Sequence, residues 1–275
     1  MTLIQELDKL EEDGNVNAVF ITNCALGDEV CVSGALNQYY HQYKQKLYII
    51  SSRPSLFAGQ DYCKDAIDSN FLSADGREDQ SNFFRKFKKI YTMFWQNESH
   101  LKGYNSLVEN YCELLNVKKV KYPFFKIQQD NLFEKAKPYI LVSLKKPNFS
   151  LPFIGSKNKY FTDKNNEIFF ENLQNDFQNY QIIDLGKIKI NGFHDMLKIV
   201  ANCKTFLSVD TSLQHLAANQ FKQRKGVVLW NNKNNISFFG YDYNINLSSD
   251  FVHPYDNYDI IVKNLKKILQ NVCHT

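Results

Sequence analysis

Short runs of apolar residues alternate along this chain with longer stretches in which apolar positions recur every three or four residues. The first pattern is typical of buried strands and the second of amphipathic helices. It predicts strands at residues 18–22, 47–51, 89–95, 139–144, 180–185, 205–209 and 227–230. It predicts helices at residues 29–43, 107–115, 165–177, 193–203 and 258–272. The polar stretch 53–88 gives no clear pattern.

Strands that alternate with helices of this length form parallel sheets with right-handed crossovers. The pattern restarts near residues 130–138, and 275 residues are enough for two domains of ordinary size. We therefore expect an α/β fold with two Rossmann-like domains, residues 1–135 and 136–275, whose parallel sheets face each other across a cleft.

Composition narrows the class of protein. Hydrophobic residues make up 44% of the chain and the net charge is +4, so we expect a well-formed core and no nucleic-acid partner. Six scattered cysteines without a C-x-x-C pair favour reduced thiols in the cytoplasm over disulfides or structural zinc. The first residues do not resemble a signal peptide, and no apolar run is long enough for a spanning helix. We expect at most peripheral contact with a membrane.

The most informative stretch follows the strand predicted at 205–209. It breaks at Asp210-Thr211-Ser212, three residues that cap helices, and continues as a good helix former, Leu213-Gln214-His215-Leu216-Ala217-Ala218. A strand that leads directly into a helix leaves unpaired N–H groups at one point, which is an anion site suited to phosphate. A purely structural N-cap is the alternative.

A second turn, Ala25-Leu26-Gly27-Asp28, follows the first predicted strand. Gly27 allows a tight backbone, and Asp28 then projects from the first turn of a helix. A carboxylate in that position can take a proton from a hydroxyl nucleophile. The alternative is that Asp28 and Glu29 only complement the helix dipole.

The run Asp210–Ala218 resembles the Asp-Thr-Gly-x-x-His-Leu-Ala-Ala signature of glycosyltransferase family 9, the lipopolysaccharide heptosyltransferases. The turn ending at Asp28 is similar to the Leu-Gly-Asp turn near the start of that family. The resemblance implies a GT-B architecture, with the acceptor on the first domain, a nucleotide-sugar donor on the second, and a C-terminal helix that packs back towards the first domain.

The resemblance also implies roles for individual residues. Asp28 matches the catalytic base. The N–H groups of Thr211, Ser212 and Leu213 match those that hold the donor diphosphate, while Asp210 and His215 shape that loop. Lys159, in Lys159-Tyr160-Phe161-Thr162, is the nearest match to a Lys-x-Trp-Pro-like element that neutralises the diphosphate; a solvated loop lysine is the alternative.

The implied function is transfer of a sugar, heptose from ADP-heptose first of all, onto a bacterial surface glycan such as lipopolysaccharide core or capsule. The chain contains no Asp-x-Asp motif for a metal. Amide groups and a lysine can stabilise the departing diphosphate by themselves. We therefore expect no cofactor, no metal and an inverting displacement at the cytoplasmic face of the inner membrane, with a glycan or glycolipid as acceptor.

The chain departs from the family pattern at two places. Ser212 stands where glycine is usual, and Trp230-Asn231-Asn232-Lys233 replaces a Phe-Gly-Pro-Thr-like loop. A different nucleotide-sugar donor and a non-catalytic nucleotide-sugar binding protein therefore remain open. A nucleotide-dependent oxidoreductase is disfavoured, because the first turn lacks G-x-G-x-x-G.

Overall fold

A computed structural model of the chain describes residues 16–22, 24–70, 72, 82–94, 102, 105–127, 137–144, 163–190, 192–230, 233–248 and 257–272. The chain divides into two compact units, Met1–Lys126 and Ile127–Thr275. Each unit is built around its own parallel sheet.

The sheet of the first unit consists of β1 (Asn17–Ile21), β2 (Leu47–Ser51), β3 (Cys63–Asp68) and β4 (Lys89–Met93). Their order in the sheet is β3-β2-β1-β4, and every pairing is parallel. The chain thus leaves β1 towards β2 on one side and later returns to β4 on the other side. The strand order reverses between β1 and β4, and the ligands of open parallel sheets bind at such a switch point.

Two helices of this unit pack closely against each other: α1 (Leu26–Tyr43) and α2 (Leu107–Leu115). Gly34 of α1 lies at the point of closest approach. A Cβ atom there would be 2.4 Å from the Tyr122 carbonyl oxygen and 2.8 Å from Val108 Cγ1. Both distances are shorter than the contacts that Cβ atoms make in proteins, so residue 34 has no room for a side chain.

The sheet of the second unit consists of β5 (Tyr139–Ser143), β6 (Gln181–Asp184), β7 (Thr205–Val209), β8 (Gly226–Trp230) and β9 (Ile245–Ser248). Their order is β6-β5-β7-β8-β9, again all parallel. Numbered within the unit this is 2-1-3-4-5, a doubly wound order with its switch point between β5 and β7. β5 and β7 are fully buried, as their apolar runs predict.

The helices described in the second unit are α3 (Asp163–Asp176), α4 (Phe193–Asn202), α5 (Ser212–Ala217), α6 (Asn235–Phe239) and α7 (Tyr258–Val272). An apolar stripe of α7 packs with α3 on the side chains of Ile140 and Val142. The neighbouring Tyr139 hydroxyl donates to the carbonyl oxygen of Ile199 in α4, at 2.6 Å. Adjacent residues of a strand point to opposite faces, so α4 lies on the other side.

The last helix, α7, packs on the sheet of its own unit and on α3 through Ile261, Val262, Leu265, Ile268 and Leu269. That it also packs back towards the first domain stays a prediction. No helix in the described residues combines the length and apolar character needed to cross a bilayer.

Candidate functional site

Each of the two turns singled out in the sequence follows a strand that borders a switch point. The Asp28 turn comes directly after β1, and the Asp210 turn comes directly after β7. Both turns therefore lie at the carboxyl edge of their own sheet, where ligands of open α/β sheets bind. Strand order, which the sequence did not reveal, gives both turns this position.

The Asp210 turn is held in place by side chains of the turn and of α5. Asp210 is buried, and its Oδ1 atom accepts a hydrogen bond from Nε2 of Gln214 at 2.8 Å. Thr211 is the N-cap of α5, and its Oγ1 atom accepts from the N–H of Leu213 at 3.4 Å. These two interactions fix the first turn of α5 before any ligand arrives.

The backbone N–H groups of this turn differ in whether they are already hydrogen-bonded. Within the described residues, the structure gives no hydrogen-bond partner to the N–H groups of Thr211 and Ser212. The helix α5 has only six residues, so its dipole is small. The attraction for an anion at this point therefore comes chiefly from the individual N–H groups.

His215 connects α5 to a tyrosine outside the helix. Its Nδ1 atom lies 2.9 Å from the hydroxyl oxygen of Tyr241, and the two rings meet edge to face. Both side chains are buried. Tyr241 thus links α5 to the segment between β8 and β9. Asp210, Thr211, Ser212, Leu213 and His215 thus lie in one turn and the helix that follows it. The Leu213 N–H, expected to hold the donor diphosphate, is bonded to Thr211 Oγ1, and the donor role of the other residues stays a prediction.

Asp28 lies in the first turn of α1 and is partly exposed. Its Oδ2 atom accepts a hydrogen bond from the N–H of Ala25 at 2.8 Å, so the carboxylate caps its own helix. The structural role that the sequence offered as an alternative is therefore present. A capping carboxylate at the mouth of a switch point can still accept a proton from a bound hydroxyl, so the two roles are compatible.

A buried ion pair beside Asp28 was not found by sequence reasoning. Arg53 Nη1 lies 2.8 Å from Glu29 Oε1, and the two side chains are 18% and 1% exposed. The hydroxyl groups of Ser51 and Ser52 also donate to the Glu29 carboxylate, each at 3.1 Å. Burial raises the pKa of Glu29, and the Arg53 guanidinium opposes that shift. The partners are more than 20 residues apart, and no local pattern signals their contact.

Cys24, at the start of the same turn, is not an activated nucleophile. Burial, assisted by the negative charge of Asp28, raises the pKa of its thiol to about 12. The thiol therefore stays protonated at neutral pH, and the thiolate is the reactive form. The Sγ atom lies 3.7 Å from the hydroxyl oxygen of Tyr111.

Three residues of interest lie outside the described residues: Lys159, Asn231 and Asn232. The expected role of Lys159 at the diphosphate therefore stays a prediction.

Comparison with known proteins gives matches at the level of structure. No family model matches the chain, and a search of curated proteins finds no similar sequence. Among solved structures, E. coli ADP-heptose lipopolysaccharide heptosyltransferase II is 12% identical with a TM-score of 0.64, over 94% of this chain and 98% of that one. A glycosyl transferase of family 9 from Veillonella parvula is 10% identical with a TM-score of 0.56, over 92% and 89%.

A third similar structure is the iron-containing dodecameric glycosyltransferase TibC from enterotoxigenic E. coli. It is 10% identical with a TM-score of 0.60, over 94% of this chain and 79% of that one. These likenesses confirm the expected α/β fold with two parallel sheets, and they show that the chain shares this fold with heptosyltransferases and with a glycosyltransferase of family 9.

The expectation of no cofactor and no metal, which rested on the missing Asp-x-Asp motif, is wrong, because TibC has the same fold and contains iron. The described residues of this chain do not offer an evident iron site. They contain no group of three or more His, Cys, Asp or Glu side chains that could hold a metal ion. We therefore assign none of them as an iron ligand.

Proposed function

We propose that this protein is a glycosyltransferase that moves a sugar from a nucleotide-sugar donor to an acceptor hydroxyl. One observation carries the proposal: the strand order brings a polar turn to the switch point of each sheet, on a fold similar to that of heptosyltransferases. One turn offers N–H groups for an anion, and the other offers a carboxylate. These are the two groups that the reaction needs.

The second unit binds the donor in this proposal. The N–H groups of Thr211 and Ser212 donate to oxygens of the diphosphate, and Asp210 and His215 hold the turn in shape. Negative charge develops on the diphosphate as the bond to the sugar breaks. Fixed donors at that point stabilise the transition state, and removing one typically costs about 3–4 kcal/mol of barrier. Lys159 would add positive charge there, as the resemblance implies.

The first unit binds the acceptor, and Asp28 is its base. The acceptor oxygen attacks the anomeric carbon of the donor sugar, and its proton passes to the Asp28 carboxylate. The bond between that carbon and the diphosphate oxygen breaks, and the diphosphate leaves with the electron pair. A single displacement of this kind inverts the anomeric centre.

The name of one similar protein supports the choice of donor and acceptor in this proposal. Heptosyltransferase II is named for ADP-heptose and lipopolysaccharide, so heptose from ADP-heptose is the first choice of donor substrate. The acceptor is a bacterial surface glycan, lipopolysaccharide core or capsule, assembled at the cytoplasmic face of the inner membrane.

The proposal is tested by incubating the protein with radiolabelled ADP-heptose and other ADP-, UDP- and GDP-linked sugars, together with host membrane extract. Parallel reactions contain EDTA or added Fe²⁺, because a similar protein contains iron. We expect label to enter the glycolipid or glycan fraction from an ADP-linked donor. Transfer from none of the donors under either condition, with thermal stabilisation by NAD alone, would overturn the proposal in favour of an oxidoreductase.

A further inference from the structure

The peptide group between Cys24 and Ala25 is held on both sides. Its carbonyl oxygen accepts a hydrogen bond from Arg53 Nη1 at 3.3 Å. Its N–H group donates to Asp28 Oδ2 at 2.8 Å. The peptide group is planar, with its C=O and N–H pointing in opposite directions. Fixing the carbonyl therefore fixes the direction of the N–H, and with it the carboxylate of Asp28.

Arg53 is itself well anchored. The same Nη1 atom lies 2.8 Å from the buried carboxylate of Glu29, and the N–H of Arg53 donates to Ser51 Oγ at 2.9 Å. Ser51 is the last residue of β2, so the Arg53 backbone is fixed at the end of the sheet. Ser51 Oγ also donates to the Glu29 carboxylate that holds the guanidinium. Buried networks with satisfied partners are rigid. The sheet thus holds the peptide to which Asp28 is bonded.

We propose that Arg53 is a positioning residue: it orients the Cys24–Ala25 peptide and thereby aims the Asp28 carboxylate. This inference rests on the proposed function where it takes Asp28 as the base. The claim that Arg53 orients the Cys24–Ala25 peptide does not depend on that function. A plain structural role, in which Arg53 only neutralises Glu29, gives different results in the experiments below.

The structural part is tested by amide hydrogen exchange of the full-length chain, read by NMR. We expect Arg53→Met to speed exchange of the Ala25 amide by at least about tenfold, the scale of a lost hydrogen bond to a charged group. Asp28→Ala serves as the reference for complete loss of that bond. Amides of β1 and β2, such as those of Val19 and Ile49, should keep their rates.

The matched control is Lys126→Met, which removes a cation of the same unit whose partner, Asp61, is exposed at 3.4 Å. It should leave the Ala25 amide unchanged. Arg53→Lys is the second variant, used if Arg53→Met does not fold; lysine keeps the charge beside Glu29 but has a shorter side chain without the planar fork. An unchanged Ala25 rate in whichever variant folds overturns the inference.

The functional part uses the transfer assay. A base displaced by about 1 Å loses on the order of 10²-fold in rate. We therefore expect both Arg53 variants to lower kcat by about that factor per folded molecule, with the KM for the donor unchanged. A purely structural role lowers only the folded fraction. If wild-type protein transfers no sugar, the proposed function fails, whereas the exchange result still decides whether Arg53 holds the peptide.

Discussion

At Ser212 the chain departs from the family signature, which has glycine there. Glycine is needed in a turn only where φ is positive. Ser212 is the first residue of α5, and the preceding Thr211 is extended, with φ −143° and ψ 174°. In the described residues, positive φ outside glycine occurs only at Lys44 and Asn116. Serine therefore fits this turn without strain, and the N–H group that the proposal uses is the same for either residue.

Ser212→Pro removes that N–H group and little else. Proline is favoured at the first position of a helix, and the extended Thr211 is compatible with a following proline. We expect the affinity for ADP to fall roughly 10- to 100-fold, as for a lost hydrogen bond to a charged group. Stability should change by less than about 1 kcal/mol. Calorimetric titration and thermal unfolding measure the two effects.

Ser212→Ala, which keeps the N–H group, is the control for Ser212→Pro and should bind ADP like the wild type. Wild-type affinity in the proline variant would show that this N–H group does not touch the diphosphate.

At the scale of elements, one carboxylate of α3 accepts two hydrogen bonds from the last helix, α7. Asp176, at the end of α3, accepts from Lys266 Nζ at 2.8 Å and from the Tyr258 hydroxyl at 2.7 Å. Both donors belong to α7. The hydrogen bond from Lys266, followed by that from Tyr258, lowers the pKa of Asp176. The ionised form is therefore favoured by folding.

The stabilisation that these hydrogen bonds to Asp176 provide should depend on pH. A carboxyl group with a lowered folded-state pKa stabilises the protein above its unfolded value of about 3.9, and the contribution is lost as the pH falls through the folded value. We expect Asp176→Asn to lower the free energy of unfolding by less than about 1 kcal/mol at pH 7, because the pair is partly exposed. Urea unfolding at several pH values should show the difference shrink below about pH 4.

Asp61→Asn is the control for Asp176→Asn, since the described ion pair of Asp61, with Lys126, is long at 3.4 Å and exposed. A difference for Asp176→Asn that grows in acid would contradict the assignment.

The two strands that sequence reasoning missed share a physical cause. The strands β3 and β9 both lie at an edge of their sheet. Their residues are largely only partly buried, and neither contains a long apolar run. Central strands such as β5 and β7 are buried on both faces, and their apolar runs predicted them correctly. The strands β4 and β6 also lie at an edge and were predicted, so the missing apolar run, more than the edge position, hides β3 and β9.

At the scale of the whole molecule, the proposal divides the reaction between the two units. Asp28 belongs to the first unit, and the Asp210 turn belongs to the second. Each turn depends on contacts within its own unit: Asp28 on Ala25, and Asp210 on Gln214. Loss of the base should therefore leave the donor site intact.

Asp28→Asn tests this division. The amide oxygen can still accept from the Ala25 N–H, so the turn should persist, but the general base is lost. We expect kcat to fall by about 10²- to 10⁴-fold, the usual contribution of a general base. The dissociation constant for ADP should stay within about twofold of the wild-type value, a difference of less than about 0.5 kcal/mol in binding free energy. Kinetics and calorimetry measure the two quantities, and near-normal turnover would remove Asp28 from the mechanism.

The sequence by itself determined the fold class and the chemistry of the two turns, because both depend on neighbours in the chain. Apolar periodicity predicts strands and helices locally, and a capping run such as Asp210-Thr211-Ser212 acts within one helical turn. The same local pattern was enough to support the resemblance that the structural likenesses confirm at the level of fold.

Only the tertiary structure decided the strand order, and with it the placement of both turns at switch points. Strand order depends on the side of the sheet to which each connection leads, and no residue pattern within a strand encodes that. The contacts of Arg53 likewise join residues that are far apart in the sequence. Glu29 is 24 positions away from Arg53, and the Cys24 carbonyl is 29 positions away. Such pairs exist only after the carboxyl end of β2 has packed beside the start of α1.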